Sequence, residues 1–161
     1  MKHRNPFTSL ILYLPLVIVL LFVGCAKEDK VEPTYSSLWD NVFSGCGVSC
    51  HSANATDGTQ DGPLLDTKQN FYQNLVGKNT TVDYPNWLKT SDCNSINYIT
   101  PGDASQSTLA GAMILSISDS LTSKFSCNSA YNVHERNKDV ITDEDTAKAL
   151  IQWINEGAAN N

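Results

Sequence analysis

Cys46-Gly47-Val48-Ser49-Cys50-His51 is the stretch on which the reading of this chain turns. Two thiols closed by a histidine are what covalent haem attachment needs. Each sulfur adds to a vinyl group, and the adjacent imidazole becomes the proximal iron ligand. The usual spacing places two residues between the cysteines; here there are three. The rest of the chain therefore has to carry part of the argument.

The start of the chain reads as a targeting segment. Lys2, His3 and Arg4 are basic, and Leu10 to Val23 is an apolar run broken by Pro15. That run is short for a membrane span and has the form of a secretory signal. It ends in Leu21-Phe22-Val23-Gly24-Cys25, similar to a bacterial lipoprotein box with Phe22 where Leu is usual. The expectation is a leader over 1–24, lipidation of Cys25, a polar tether over 25–34 and one domain over 35–161. Several acyl chains on Cys25 would anchor the protein stably. The compartment is then the bacterial cell envelope, on the periplasmic side or at the cell surface.

The 161 residues less a 24-residue leader leave 137, enough to bury a core or enclose a cofactor. Losing Lys2 and Arg4 takes the formal net charge from −6 to −8. So acidic a chain argues against nucleic acid as a partner and suits a basic docking patch on another protein. The five cysteines can all be assigned: Cys25 to lipid, Cys46 and Cys50 to haem, leaving Cys93 and Cys127 to pair in an oxidising compartment. A competing assignment makes two disulfides from the last four, with three possible connectivities. It leaves His51 without a role.

Helical periodicity dominates the remainder. Tyr35 to Ser44 forms a first helix capped by Ser36 or Ser37, with Leu38, Trp39, Val42 and Phe43 on one face. Thr67 to Val76 forms a second, stopped by Gly77. Lys78 to Thr100 reads as a long loop containing Pro85, Trp87 and Cys93. Pro101-Gly102-Asp103 opens a third helix from Ser105 or Ser107 to about Ile117, and Asp119 to Asp139 reads as mostly loop. Thr142 and Asp145 form a capping box for the last helix, whose stripe is Ala147, Leu150, Ile151 and Ile154. The expected class is all-α with long loops and no alternating strand.

Gly62-Pro63-Leu64-Leu65 follows His51, with Pro63 twelve residues on. This resembles the Gly-Pro-x-Leu segment of class I cytochromes c, in which the proline carbonyl accepts from the proximal histidine and the leucine packs on the haem. Trp39 to Phe43, Leu75-Val76-Gly77, Pro101-Gly102-Asp103 and Trp153-Ile154-Asn155-Glu156-Gly157-Ala158 recur in the same order. Over nearly all of the chain after Cys25, the sequence looks like a bacterial cytochrome c-like domain. The resemblance implies about four helices with long loops wrapped around one covalently bound haem c. It also implies haem packing by Leu65, while Trp153, like Trp39 and Trp87, reads as a core or haem-packing aromatic. The family usually places Met-Pro shortly before the last helix, whereas this chain has Val133-His134-Glu135 there. His134 is therefore the candidate sixth ligand, with Met113 as the alternative. Arg136, Lys138 and Tyr98 are candidates for a haem propionate.

The function that follows is single-haem electron transfer, with a redox protein as partner and no catalysis by the chain itself. Two other readings stand beside it: a disulfide-stapled structural or binding lipoprotein without haem, and a haem enzyme or gas sensor with an open distal site. Nucleophile-elbow and phosphate-loop motifs are missing from the sequence, and two histidines after Cys25 are a poor basis for a zinc enzyme.

Overall fold

The structure is a computed structural model that describes residues 30–54, 62–86, 88 and 92–161. The leader, Cys25 and Trp87 lie outside the described residues. Among those described there is no β-strand, only two isolated parallel bridges, Val76 with Ile99 and Asn97 with Ser107. The all-α expectation holds.

Helix α1 covers Tyr35–Leu38 and runs on as a π-helical turn, Trp39–Phe43. Its cap is Thr34, whose hydroxyl accepts from the Ser37 amide; it lies two positions before Ser36, the nearer of the two serines expected to cap. Helix α2 is a single turn, Cys46–Ser49. Helix α3, Lys68–Leu75, begins at the Thr67 cap and is followed by Gly77 at φ +66°, a backbone conformation that glycine adopts without strain.

The third predicted helix is broken. A 3-10 turn, Ala104–Gln106, leads into α4, Thr108–Met113. Ile114 is then extended, at φ −130° and ψ 117°, and α5 runs over Leu115–Phe125. β-Branched Ile114 suits that extended geometry. The break lets α5 pack back on α4. Gly111 makes the contact possible, because a Cβ there would meet the Leu121 side chain.

The region expected to be loop is largely helical. α5 continues to Phe125, and α6 covers Ser129–Asn137 and packs against α4. His134 therefore stands on a helix. Helix α7, Glu144–Asn155, is capped by Asp143, which accepts from the Thr146 amide at 2.7 Å; the cap falls one residue after the predicted Thr142.

The aromatic core lies where α1, α3 and α7 meet. Trp153 stacks on Tyr35 with ring centres 5.6 Å apart, and Phe43 stacks on Phe71 at 4.3 Å. Leu65 and Trp153 are both buried here. Cys93 and Cys127, 34 residues apart in sequence, are joined by a disulfide. The turn at Gly102 is fastened to the end of α7: the Gly102 amide donates to Ile154 O, and the Ala104 amide to Asn155 Oδ1. Among the described residues, no helix is long and apolar enough to cross a membrane.

Candidate functional site

The thiol motif folds as one helical turn. Cys50 caps α2, and the amides of Cys50 and His51 both return to the Cys46 carbonyl. Three intervening residues place the cysteines at i and i+4, which share a helix face. The additional residue therefore keeps both thiols on one side. Cys46 and Cys50 are both thiols and are not bridged to each other.

Gly47 faces the segment after Pro63. A Cβ at Gly47 would lie 2.6 Å from Leu65 O and against the Asp66 backbone. Only glycine fits, so the thiol turn and the 62–66 segment are packed backbone to backbone. The Leu65 amide donates to His51 O at 2.9 Å, closing the same contact from the other side. His51 Nδ1 lies 3.0 Å from Pro63 O. A carbonyl can only accept, so Nδ1 donates and Nε2 is the nitrogen suited to a metal.

A cavity of about 620 Å³ opens on this turn. It is within the range of small-molecule and cofactor sites, about 300–1,000 Å³. Cys46, Cys50 and His51 line one side, and His134, Val133 and Ala130 on α6 line another. Met113 and Ile141 contribute apolar surface. Among the candidates for an anionic group, Lys138 reaches the cavity, whereas Tyr98 belongs to the core and Arg136 turns its Nε onto Asn132 O of its own helix. Leu65 and Trp153 are core residues outside the cavity lining.

The two histidines form a pair. Their ring centres are 6.4 Å apart and their planes differ by 7°. His134 Nδ1 donates to Ala130 O at 2.8 Å, one turn back on α6. Both imidazoles are thus held through Nδ1 by a backbone carbonyl, which orients a metal-binding histidine. The spacing can be compared with a metal held between two imidazoles. Bonds of about 2.0–2.1 Å, with about 1.1 Å from each nitrogen to its ring centre, put the centres about 6.2–6.4 Å apart. The 6.4 Å between the ring centres matches that distance. Among the described residues there is no group of three or more His, Cys, Asp or Glu side chains that could hold a bare ion. A planar cofactor supplying its own ligands needs just two axial groups from the protein.

The electrostatics argue against thiolate chemistry at Cys46. Burial pushes the Cys46 thiol up to about 11, and the nearby Asp139 carboxylate adds to the shift. At neutral pH Cys46 is a protonated thiol, unlike the activated cysteines that serve as nucleophiles.

Sequence reading alone misses Asp139, Val140 and Ile141, which close the cavity between α6 and α7. The available signal was position, since the three lie between His134 and the cap of the last helix. No protein-family model, curated protein or solved structure matches the chain.

Proposed function

We propose that this chain is a monohaem c-type cytochrome, an electron-transfer lipoprotein of the bacterial cell envelope. Cys46 and Cys50 would hold the haem, His51 and His134 would be its axial ligands, and Cys25 would carry the lipid. The observation that carries the reading is the near-parallel His51–His134 pair, 6.4 Å between ring centres, across the cavity that both thiols line. Met113 also reaches the cavity, but the imidazole pair has the spacing an axial couple requires.

When bound, haem c supplies one-electron cycling of its iron. The chain contributes binding and tuning. Cys46 and Cys50 present both sulfurs from one helix face. Pro63 O fixes the His51 ring, and Ala130 O fixes the His134 ring. Val42, Val133 and Ile141 give the cavity wall apolar surface, and Lys138 can receive an anionic group there. An acidic surface would steer the protein towards a basic patch on its redox partner.

The test is a pyridine haemochrome spectrum on protein made with the cytochrome c maturation machinery. A c-type spectrum that survives denaturation and disappears in Cys46→Ala/Cys50→Ala is expected. Protein that folds without bound haem under those conditions would overturn the reading. His134→Met should then raise the reduction potential and introduce the charge-transfer band of Met-bound ferric haem. Unchanged spectra in both His134→Met and His134→Ala would remove His134 from the iron.

A further inference from the structure

Helix α6 carries His134 but buries none of its own side chains. It packs along α4 with its side chains only half-buried, and further ties hold both of its ends. At the N-terminal end, Cys127 is bridged to Cys93, and both cysteines are buried. Ser129, the first residue of α6, donates its hydroxyl to Asp92 Oδ1 at 2.8 Å. The segment Asp92–Cys93 thus grips the start of α6 twice, once covalently and once through a charged acceptor. At the C-terminal end, Lys138 turns the chain in the left-handed region at φ +63°, the Asp139 amide returns to His134 O, and the Ile141 amide donates to Met113 O.

We infer that the Cys93–Cys127 disulfide and the Asp92–Ser129 hydrogen bond form a clamp that positions His134 opposite His51. The role in the cofactor site rests on the proposed function; the clamp on α6 belongs to the polypeptide and is tested without the cofactor. Cys93, Cys127, Asp92 and Ser129 are positioning residues and need not touch the cofactor. A core helix would hold its histidine by side-chain burial. Here the covalent tie adds to a half-buried contact with α4, because a cross-link removes open conformations from the ensemble. Releasing the clamp should free the N-terminal end of α6 while leaving α3 and α7 in place, since those helices bury Phe71 and Leu75, and Leu150, Trp153 and Ile154.

Amide hydrogen exchange on the cofactor-free full chain tests this directly. In Cys93→Ala/Cys127→Ala, the amides of 129–137 should exchange about tenfold faster or more, while those of α7 change by less than about twofold. Ser129→Ala, which keeps the disulfide, should accelerate the same amides by a smaller factor, and it decides the matter if the double variant does not fold. Unchanged protection over 129–137, or equal loosening of α6 and α7, would overturn the clamp. In haem-loaded protein, the double variant should bind carbon monoxide at least about tenfold faster than the parent, because opening of the distal side limits the rate. Equal carbon monoxide rates despite altered exchange would remove the disulfide from control of the distal ligand. A parent chain that takes up no haem counts against the proposed function alone, and the exchange result still decides the clamp.

Discussion

Two glycines flank Cys46 and have opposite requirements. Gly45 has nothing within 4 Å of a built Cβ and lies at φ −73°, so Gly45→Ala should leave stability unchanged or slightly higher. Gly47 meets backbone on every side, at Leu65 O, Asp66 N and Asp66 Cα. Backbone cannot rotate away as a flexible side chain can, so Gly47→Ala should cost about 1–3 kcal/mol in urea unfolding and lower haem loading. Equal stability of the two variants would mean that the thiol turn does not need its contact with 65–66. The Cys46 thiol makes a second prediction. Its folded pKa is raised from 9.0 to about 11, so the stability tied to the protonated thiol is fully present below pH 9 and is lost as pH rises towards 11. Cofactor-free protein should lose stability across that window, and Cys46→Ala should flatten the profile. Protein with a thioether at Cys46 has no thiol to titrate there. At this scale the sequence was informative wherever the chemistry is local. Cys46, Cys50, His51 and Pro63 could be singled out because their spacing is short and their residue types are rare. Gly47 could not, because what crowds it arrives from eighteen residues further along the chain.

Elements were legible in proportion to how much of themselves they bury. Helix α7 has the deepest apolar stripe, with Ala149, Leu150, Trp153 and Ile154 buried, and its existence follows from periodicity alone. Its cap slipped by one residue because Thr142 and Asp143 are both competent acceptors, and Asp143 is the one aligned with the Thr146 amide. Hydrogen bonds from Thr146 hold the Asp143 carboxyl below the usual carboxylate range. Its stabilising effect is therefore present above the ordinary aspartate pKa and fades as pH falls through the folded value. Asp143→Ala should speed exchange in the first turn of α7 at pH 7, and Asp143→Asn should keep the cap while removing its acid dependence. Identical acid profiles for the parent and Asp143→Asn would assign that dependence to other carboxylates. Helices α5 and α6 escaped sequence reading for two reasons. The serines and threonine of α5 are turn formers by local preference, and packing against α4 overrides them. In α6 no buried side chain exists to create a stripe, so periodicity has nothing to report. An element whose contacting face is only half-buried leaves no apolar stripe in the sequence.

At the scale of the molecule, the hydrophobic interior is divided. One part is the aromatic core of α1, α3 and α7, where Tyr35 stacks on Trp153, Phe43 stacks on Phe71, and Phe43 lies tilted against Trp153. The other is the cavity of about 620 Å³, walled by the thiol turn, α6 and the approach to α7. A space of this size is within the range of small-molecule and cofactor sites, and the proposed function would fill it with haem. The two parts share α1, whose Phe43 faces the core while Val42 faces the cavity. Loading the cavity should therefore stabilise a wall built from segments far apart in sequence, 42–51 and 129–143, and leave the aromatic core unchanged. Thermal unfolding of haem-loaded and cofactor-free protein should separate by at least about 10 °C, given that 1 kcal/mol moves the midpoint of a domain near this size by about 2–8 °C. Near-ultraviolet signals from the stacked Tyr35–Trp153 pair should be similar in the two forms below their transitions. Coincident midpoints would mean that the cavity contributes nothing to stability when filled, and the division of the interior into a self-sufficient core and a cofactor-dependent wall would have to be abandoned.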